Sequence, residues 1–98
     1  MPRYLVALAG LMLAACSSPG VGFLGVEPVA IAHDGVRHDV YVARGQVQLI
    51  RMGSTLGLSE ASLSELYQAL VVRATGCRVD RRTVSMDHSV MTARLICP

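Results

Sequence analysis

The 98-residue chain has no lysine and no tryptophan, and only one phenylalanine. Without lysine, a Gly-x4-Gly-Lys phosphate cradle is impossible. The Gly-x-Ser-x-Gly elbow of a nucleophilic serine is missing too. Ser54, in Met52-Gly53-Ser54-Thr55-Leu56-Gly57, has no such spacing around it. Charge of one sign is not in excess: nine arginines face seven acidic residues, a formal net charge of +2. That balance argues against a nucleic-acid-binding surface. No apolar run reaches the roughly 20 residues that a spanning helix needs. These absences lead us to expect a chain that is not an enzyme and carries no cofactor.

What is present begins at the amino terminus. Arg3 supplies a positive charge, Tyr4 to Met12 an apolar run interrupted by Gly10, and Leu13-Ala14-Ala15-Cys16 closes it. Ser17-Ser18-Pro19-Gly20 ends the run early. A charged start, a short apolar stretch and small residues at its end form a processed signal segment. The motif resembles the lipobox of bacterial lipoproteins: an aliphatic residue, two small residues, then cysteine. The resemblance implies that residues 1–15 are removed and that Cys16 becomes a fatty-acylated (palmitate-type) first residue. It also implies attachment to a membrane through that lipid. Ser17, a non-aspartate after the cysteine, implies the outer membrane, with the protein facing the periplasm. The resemblance is confined to residues 1–16 and speaks to processing alone.

Removing residues 1–15 also removes Arg3, so eight arginines then face seven acidic residues. The remaining chain suffices for one small domain with a thin core, the kind that often needs a covalent staple. With Cys16 taken by lipid, Cys77 and Cys97 are left as an even pair. In an oxidising compartment such a pair is expected to form a disulfide.

Residues 16–26 carry no charge and are rich in glycine and serine, which reads as a flexible tether. Phe23 and Leu24 within it are able either to dock on the domain or to dip into lipid, and the sequence leaves both open. Residues 27–98 form the domain. Val29 to His33, Val36 to Ala43 and Gln46 to Met52 alternate as strands, separated by the tight turns Asp34-Gly35 and Arg44-Gly45. This register sets Ile31 opposite His38, Val42 opposite Val47 and Val40 opposite Leu49. It makes one face apolar and leaves Arg37, Asp39, Tyr41, Gln46 and Gln48 on a face expected to be solvated. Ser59 fits a helix N-cap with Glu60 in the first turn. Leu63, Leu66, Tyr67, Leu70, Val71 and Ala74 recur at helical spacing, and Gly76 suits the end. One amphipathic helix is therefore expected over residues 60–75.

Cys77 to Val84 and Val90 to Cys97 read as a second hairpin. With Met86-Asp87-His88 at its tip, Ser85 meets Ser89, Thr83 meets Met91, Val79 meets Leu95 and Cys77 meets Cys97. Cross-strand partners lie about 5 Å apart, within disulfide reach. The expected class is α+β: a small antiparallel sheet, β-β-β-α-β-β, covered by one helix and closed by one disulfide.

His33-Asp34, His38-Asp39 and Asp87-His88 look like acid–base pairs, but neighbours on a strand point to opposite faces. With Arg51 across from His38 and Cys77 bridged, no metal site is expected. Arg78, Arg82 and Arg94 fall on one face of the second hairpin, with Arg81 on the other. That arginine face suits an acidic or anionic partner. The functional expectation is an accessory or adaptor module of the envelope that binds a protein partner. An alternative is a compact inhibitor or ligand-binding module presenting the tip at residues 85–89, with Asp87 and His88 as its wedge.

Overall fold

The computed structural model describes residues 19–98. The Leu13-Ala14-Ala15-Cys16 motif lies outside the described residues. Five strands form one antiparallel sheet: β1 (Val29–His33), β2 (Val36–Ala43), β3 (Gln46–Arg51), β4 (Arg78–Asp87) and β5 (Val90–Ile96). One helix, α1 (Glu60–Thr75), joins β3 to β4. The spatial order is β1-β2-β3-β5-β4, so β5 inserts beside β3 and β4 becomes an outer edge. The protein is an α+β sheet–helix fold with a Cys77–Cys97 disulfide.

The first two hairpins follow from their turns. Asp34 and Gly35 have φ of 50° and 76°, and Arg44 and Gly45 have φ of 54° and 72°. Two successive left-handed residues match the twist of the flanking strands. Ile31 pairs with His38, Val40 with Leu49, Val42 with Val47 and His38 with Arg51. The Ser59 hydroxyl accepts from the Ser62 N–H at 3.1 Å, which starts α1. Gly76 ends it at φ 73°, its N–H donating to the Val72 carbonyl at 2.8 Å. Leu63, Tyr67, Leu70 and Val71 of α1 meet Val40, Val47, Leu49, Met91, Ala93 and Leu95 of the sheet in one core.

Two expectations are corrected. The face carrying Asp39, Tyr41 and Gln48 is not solvated: these residues are 5%, 8% and 9% exposed. A short 3-10 turn at Val21–Phe23 lies over it, and Phe23 packs with Tyr41 and Ile50. An isolated phenylalanine gains about 2 kcal/mol by leaving water, and it takes its neighbours with it. Arg37 and Gln46 of that face do remain exposed. Arg37 Nε donates to Asp39 Oδ1 at 2.7 Å and neutralises the buried carboxylate.

The second hairpin has a different register beyond its base. Val79 does pair with Leu95, but Ser85 pairs with Thr92, Met86 with Met91 and Asp87 with Val90. Five steps along β4, Asp80 to Ser85, are matched by two along β5, Arg94 to Thr92. The three extra residues form a bulge held by side chains. Thr83 Oγ1 accepts from the Arg94 N–H at 2.8 Å and donates to the Asp80 carbonyl at 2.8 Å. Asp80 Oδ1 accepts from the Arg82 N–H at 3.2 Å. Three of the backbone groups at the slip, the Arg82 and Arg94 N–H and the Asp80 carbonyl, are thereby satisfied in place. The tip becomes a two-residue turn at His88 and Ser89, instead of a loop at 86–88.

Candidate functional site

Three groupings emerge from this fold. The first is a shallow groove between α1 and the start of β4. Glu65, Gln68, Ala69 and Val72 line it from the helix, and Arg78, Val79 and Arg81 from the strand, enclosing about 360 Å³. Arg81 Nη2 reaches Glu65 Oε2 across it at 3.3 Å. Val72 is exposed on the groove wall. The groove therefore offers an apolar floor with a carboxylate and two guanidinium groups at its rim, a pattern that suits a peptide or protein edge.

The second is the outer face near the bulge. Arg94 and Arg82 come to this side, where Arg82 Nε lies 3.5 Å from Asp80 Oδ1 and its side chain is 91% exposed. Arg94, Thr92, Gln46 and Thr83 surround a hollow of about 150 Å³. Arg78, two residues before Asp80, lies on the side of the sheet that Asp80 and Arg94 share, and it also borders the groove beside α1. Asp87 closes β4 at the far end, and His88 occupies the turn with φ 37°. Asp87 and His88 are both exposed, but they sit apart from the arginines, across the bulge.

The third grouping is buried. His38 is 0% exposed, its ring meeting that of Tyr67 edge-on at 5.8 Å. Arg51 Nη1 lies 3.2 Å from His38 Nε2. A guanidinium only donates, so Nε2 accepts and the imidazole proton resides on Nδ1. Nδ1 is buried and finds no hydrogen-bond partner. Burial lowers the His38 pKa below its ordinary value, and the Arg51 charge lowers it further. Backbone groups of Ile31 and Val36 pull the other way without outweighing these effects. The ring is thus neutral near pH 7. Arg51 Nε also donates to the Ser54 carbonyl at 3.1 Å, which organises the loop before α1. Tyr67 Oη donates to the His88 carbonyl at 2.6 Å, and burial raises its pKa. This cluster joins sheet, helix and hairpin tip. With His38 sealed from solvent, it positions elements and does not meet a substrate.

The remaining histidines are peripheral. Asp34 leaves the strand direction at its positive φ, so its carboxylate comes within 3.4 Å of His33 Nε2, contrary to the alternation expected of neighbours. His88 Nδ1 stands 4.0 Å from Glu60 Oε1. Among the described residues, no three His, Cys, Asp or Glu side chains gather to hold a metal ion. No helix among the described residues is long and apolar enough to cross a membrane. The sequence reading missed the α1–β4 groove. Its only signals are Val72 and Ala69 on the helix flank away from the core, which read as surface without the fold.

Comparison with known proteins gave no match to a family model, a curated protein or a solved structure.

Proposed function

We propose that this protein is a small lipid-anchored module of the bacterial envelope. It acts by binding and not by catalysis, as an accessory or adaptor for a protein partner. The observation that carries this reading is the Cys77–Cys97 bridge, with sulfurs 2.09 Å apart across a 20-residue separation. Disulfides persist in compartments such as the periplasm. The bridge also accounts for both cysteines other than Cys16, which leaves Cys16 for the lipid at the end of the Leu13-Ala14-Ala15-Cys16 motif. In this reading the protein sits on the outer membrane and faces the periplasm. The partner docks on the α1–β4 groove, where Glu65, Arg78 and Arg81 set the charge pattern and Val72 supplies apolar contact. Neither nucleic acid nor a cofactor enters the scheme.

The test has two arms. Cells fed an alkyne fatty acid should label the wild-type protein and not Cys16→Ala; label persisting on Cys16→Ala overturns the anchor. Crosslinking in intact cells should capture one envelope protein, with capture lost in Val72→Asp combined with Arg81→Glu. Capture unchanged by those substitutions removes the groove.

The pinned tip favours a second reading, a compact inhibitor. The Tyr67 bond to the His88 carbonyl pre-shapes the turn that presents Asp87 and His88. An inhibitor should copurify with a hydrolase and lose its effect in Asp87→Ser with His88→Ser.

A further inference from the structure

The segment between the anchor and the domain is largely absorbed into the fold. The Gly20 N–H donates to Gln48 Oε1 on the outer sheet face at 2.7 Å. Phe23 is buried against Tyr41 and Ile50, and the Val26 N–H donates to the Phe23 carbonyl at 3.2 Å. Only four backbone steps separate Cys16 from Gly20, the first described residue bonded to the sheet. Fully extended, these reach at most about 14 Å. A tether running free to residue 26 would let the domain tumble; this one does not.

The surface beside the attachment point has two features that suit a lipid headgroup layer. On the docked turn, Val21 is 87% exposed and Leu24 is 64% exposed, whereas Phe23 between them is buried. Arg94 borders the hollow beside Gln46 and Thr92, and both Arg94 and Arg82 stand exposed. Among the described residues no carboxylate lies within 4.0 Å of the Arg94 guanidinium, and Asp80 meets Arg82 Nε at a loose 3.5 Å. Apolar residues flanked by arginine, at the place where the chain leaves for its lipid, match an interface of anionic lipid.

We propose that the outer sheet face is the membrane-facing surface. Val21 and Leu24 insert at the headgroup boundary, Arg82 and Arg94 meet anionic lipid, and α1 with its groove is turned toward the periplasm. This inference rests on the Cys16 anchor described above and adds an orientation to it. It also explains how a domain tethered so briefly keeps its helix side accessible.

The test uses the mature lipidated protein in vesicles of phosphatidylcholine with or without phosphatidylglycerol. A benzophenone amino acid replaces Val21, Leu24 or, as the control on α1, Ala69. Lipid photoadducts at 21 and 24 should exceed those at 69 several-fold when phosphatidylglycerol is present. That ratio should fall in Arg82→Ser with Arg94→Ser, and in the unsubstituted protein at raised salt, where folding is not in question. Phe23→Ser, which unfastens the turn, should bring the three positions level while fatty-acid label on Cys16 persists. Equal adducts at 21, 24 and 69 in labelled protein that retains Phe23 overturn the orientation and leave the anchor standing. A ratio insensitive to phosphatidylglycerol, salt and both arginines overturns the anionic-lipid contact. Loss of label from Cys16 overturns the anchor, and the orientation with it.

Discussion

The Tyr67 hydroxyl, midway along α1, holds the backbone carbonyl of His88 at the tip of the second hairpin, 2.6 Å away. The two residues are 21 positions apart and belong to different layers. The bond tightens the hairpin against the helix at the end opposite the disulfide. Tyr67→Phe keeps the ring and removes the donor, leaving a carbonyl short of its partner. It should cost about 1–2 kcal/mol, read as a lower urea midpoint at unchanged slope. Hydrogen exchange should quicken at Ser89 and Val90 more than at the base of the hairpin.

The disulfide holds the other end. Cys77→Ala with Cys97→Ala frees a loop of 20 residues and should lower stability by about 3 kcal/mol. For so small a domain this approaches half of the total. Reduction of the wild-type protein should bring its denaturation midpoint close to that of the double variant. A midpoint unmoved by reduction would mean that the core alone holds the fold.

His38 sets the acid limit. Its folded pKa lies below the ordinary 6.5, chiefly through burial and then through Arg51. The unfolded chain therefore binds more protons than the folded one as pH falls below about 6.5. Stability is full above that value and declines from there through the lowered folded pKa. Tyr67 works at the other limit: its raised pKa means the unfolded chain ionises first, so stability declines above about pH 10. Urea titrations from pH 7.5 to 4.5 should show a decline that His38→Gln flattens. An equal slope in His38→Gln would assign the acid sensitivity to other groups.

Much of this was legible in the residues, and the reasons differ from place to place. Asp34-Gly35 fixes a two-residue turn because both positions need positive φ. Once the turn is fixed, Ile31 opposite His38 and Val40 opposite Leu49 follow by counting. Ser59 and Gly76 mark the ends of α1 through backbone groups that local residues satisfy. The β4 bulge was not legible. Asp80 and Thr83 are ordinary strand or turn residues until Arg94 offers its N–H from the neighbouring strand, and a non-local partner leaves no local trace. Val79 and Leu95 remain paired below the slip, so the expected bridge forms although the strand above it is displaced. Phe23 was ambiguous for a related reason: its glycine-rich neighbours describe a flexible chain, and only Tyr41 and Ile50 supply the surface that stops it. Counting along the strand puts Arg78, Arg82 and Arg94 on one side, but through the bulge it is the Asp80 contact, not strand alternation, that places Arg82.

Phe23→Ser tests how firmly that surface stops it. Loss of the ring from its half-shell of Tyr41 and Ile50 should cost about 1–3 kcal/mol. It should also expose Gly20–Val26 to proteases before the domain unfolds. Limited proteolysis followed by mass measurement would show cuts within that segment in the variant and intact wild-type chain under the same conditions.

The bulge in β4 has one further effect. β4 is one of the two outermost strands of the sheet, and an outermost strand is where a second copy would add itself. Arg81, Arg82 and Thr83 break its ladder in the middle and turn guanidinium groups outward. An approaching copy finds neither a straight row of amides nor a neutral margin. Wherever copies of the chain meet at high local density, this kink lets them collide without zipping into fibres.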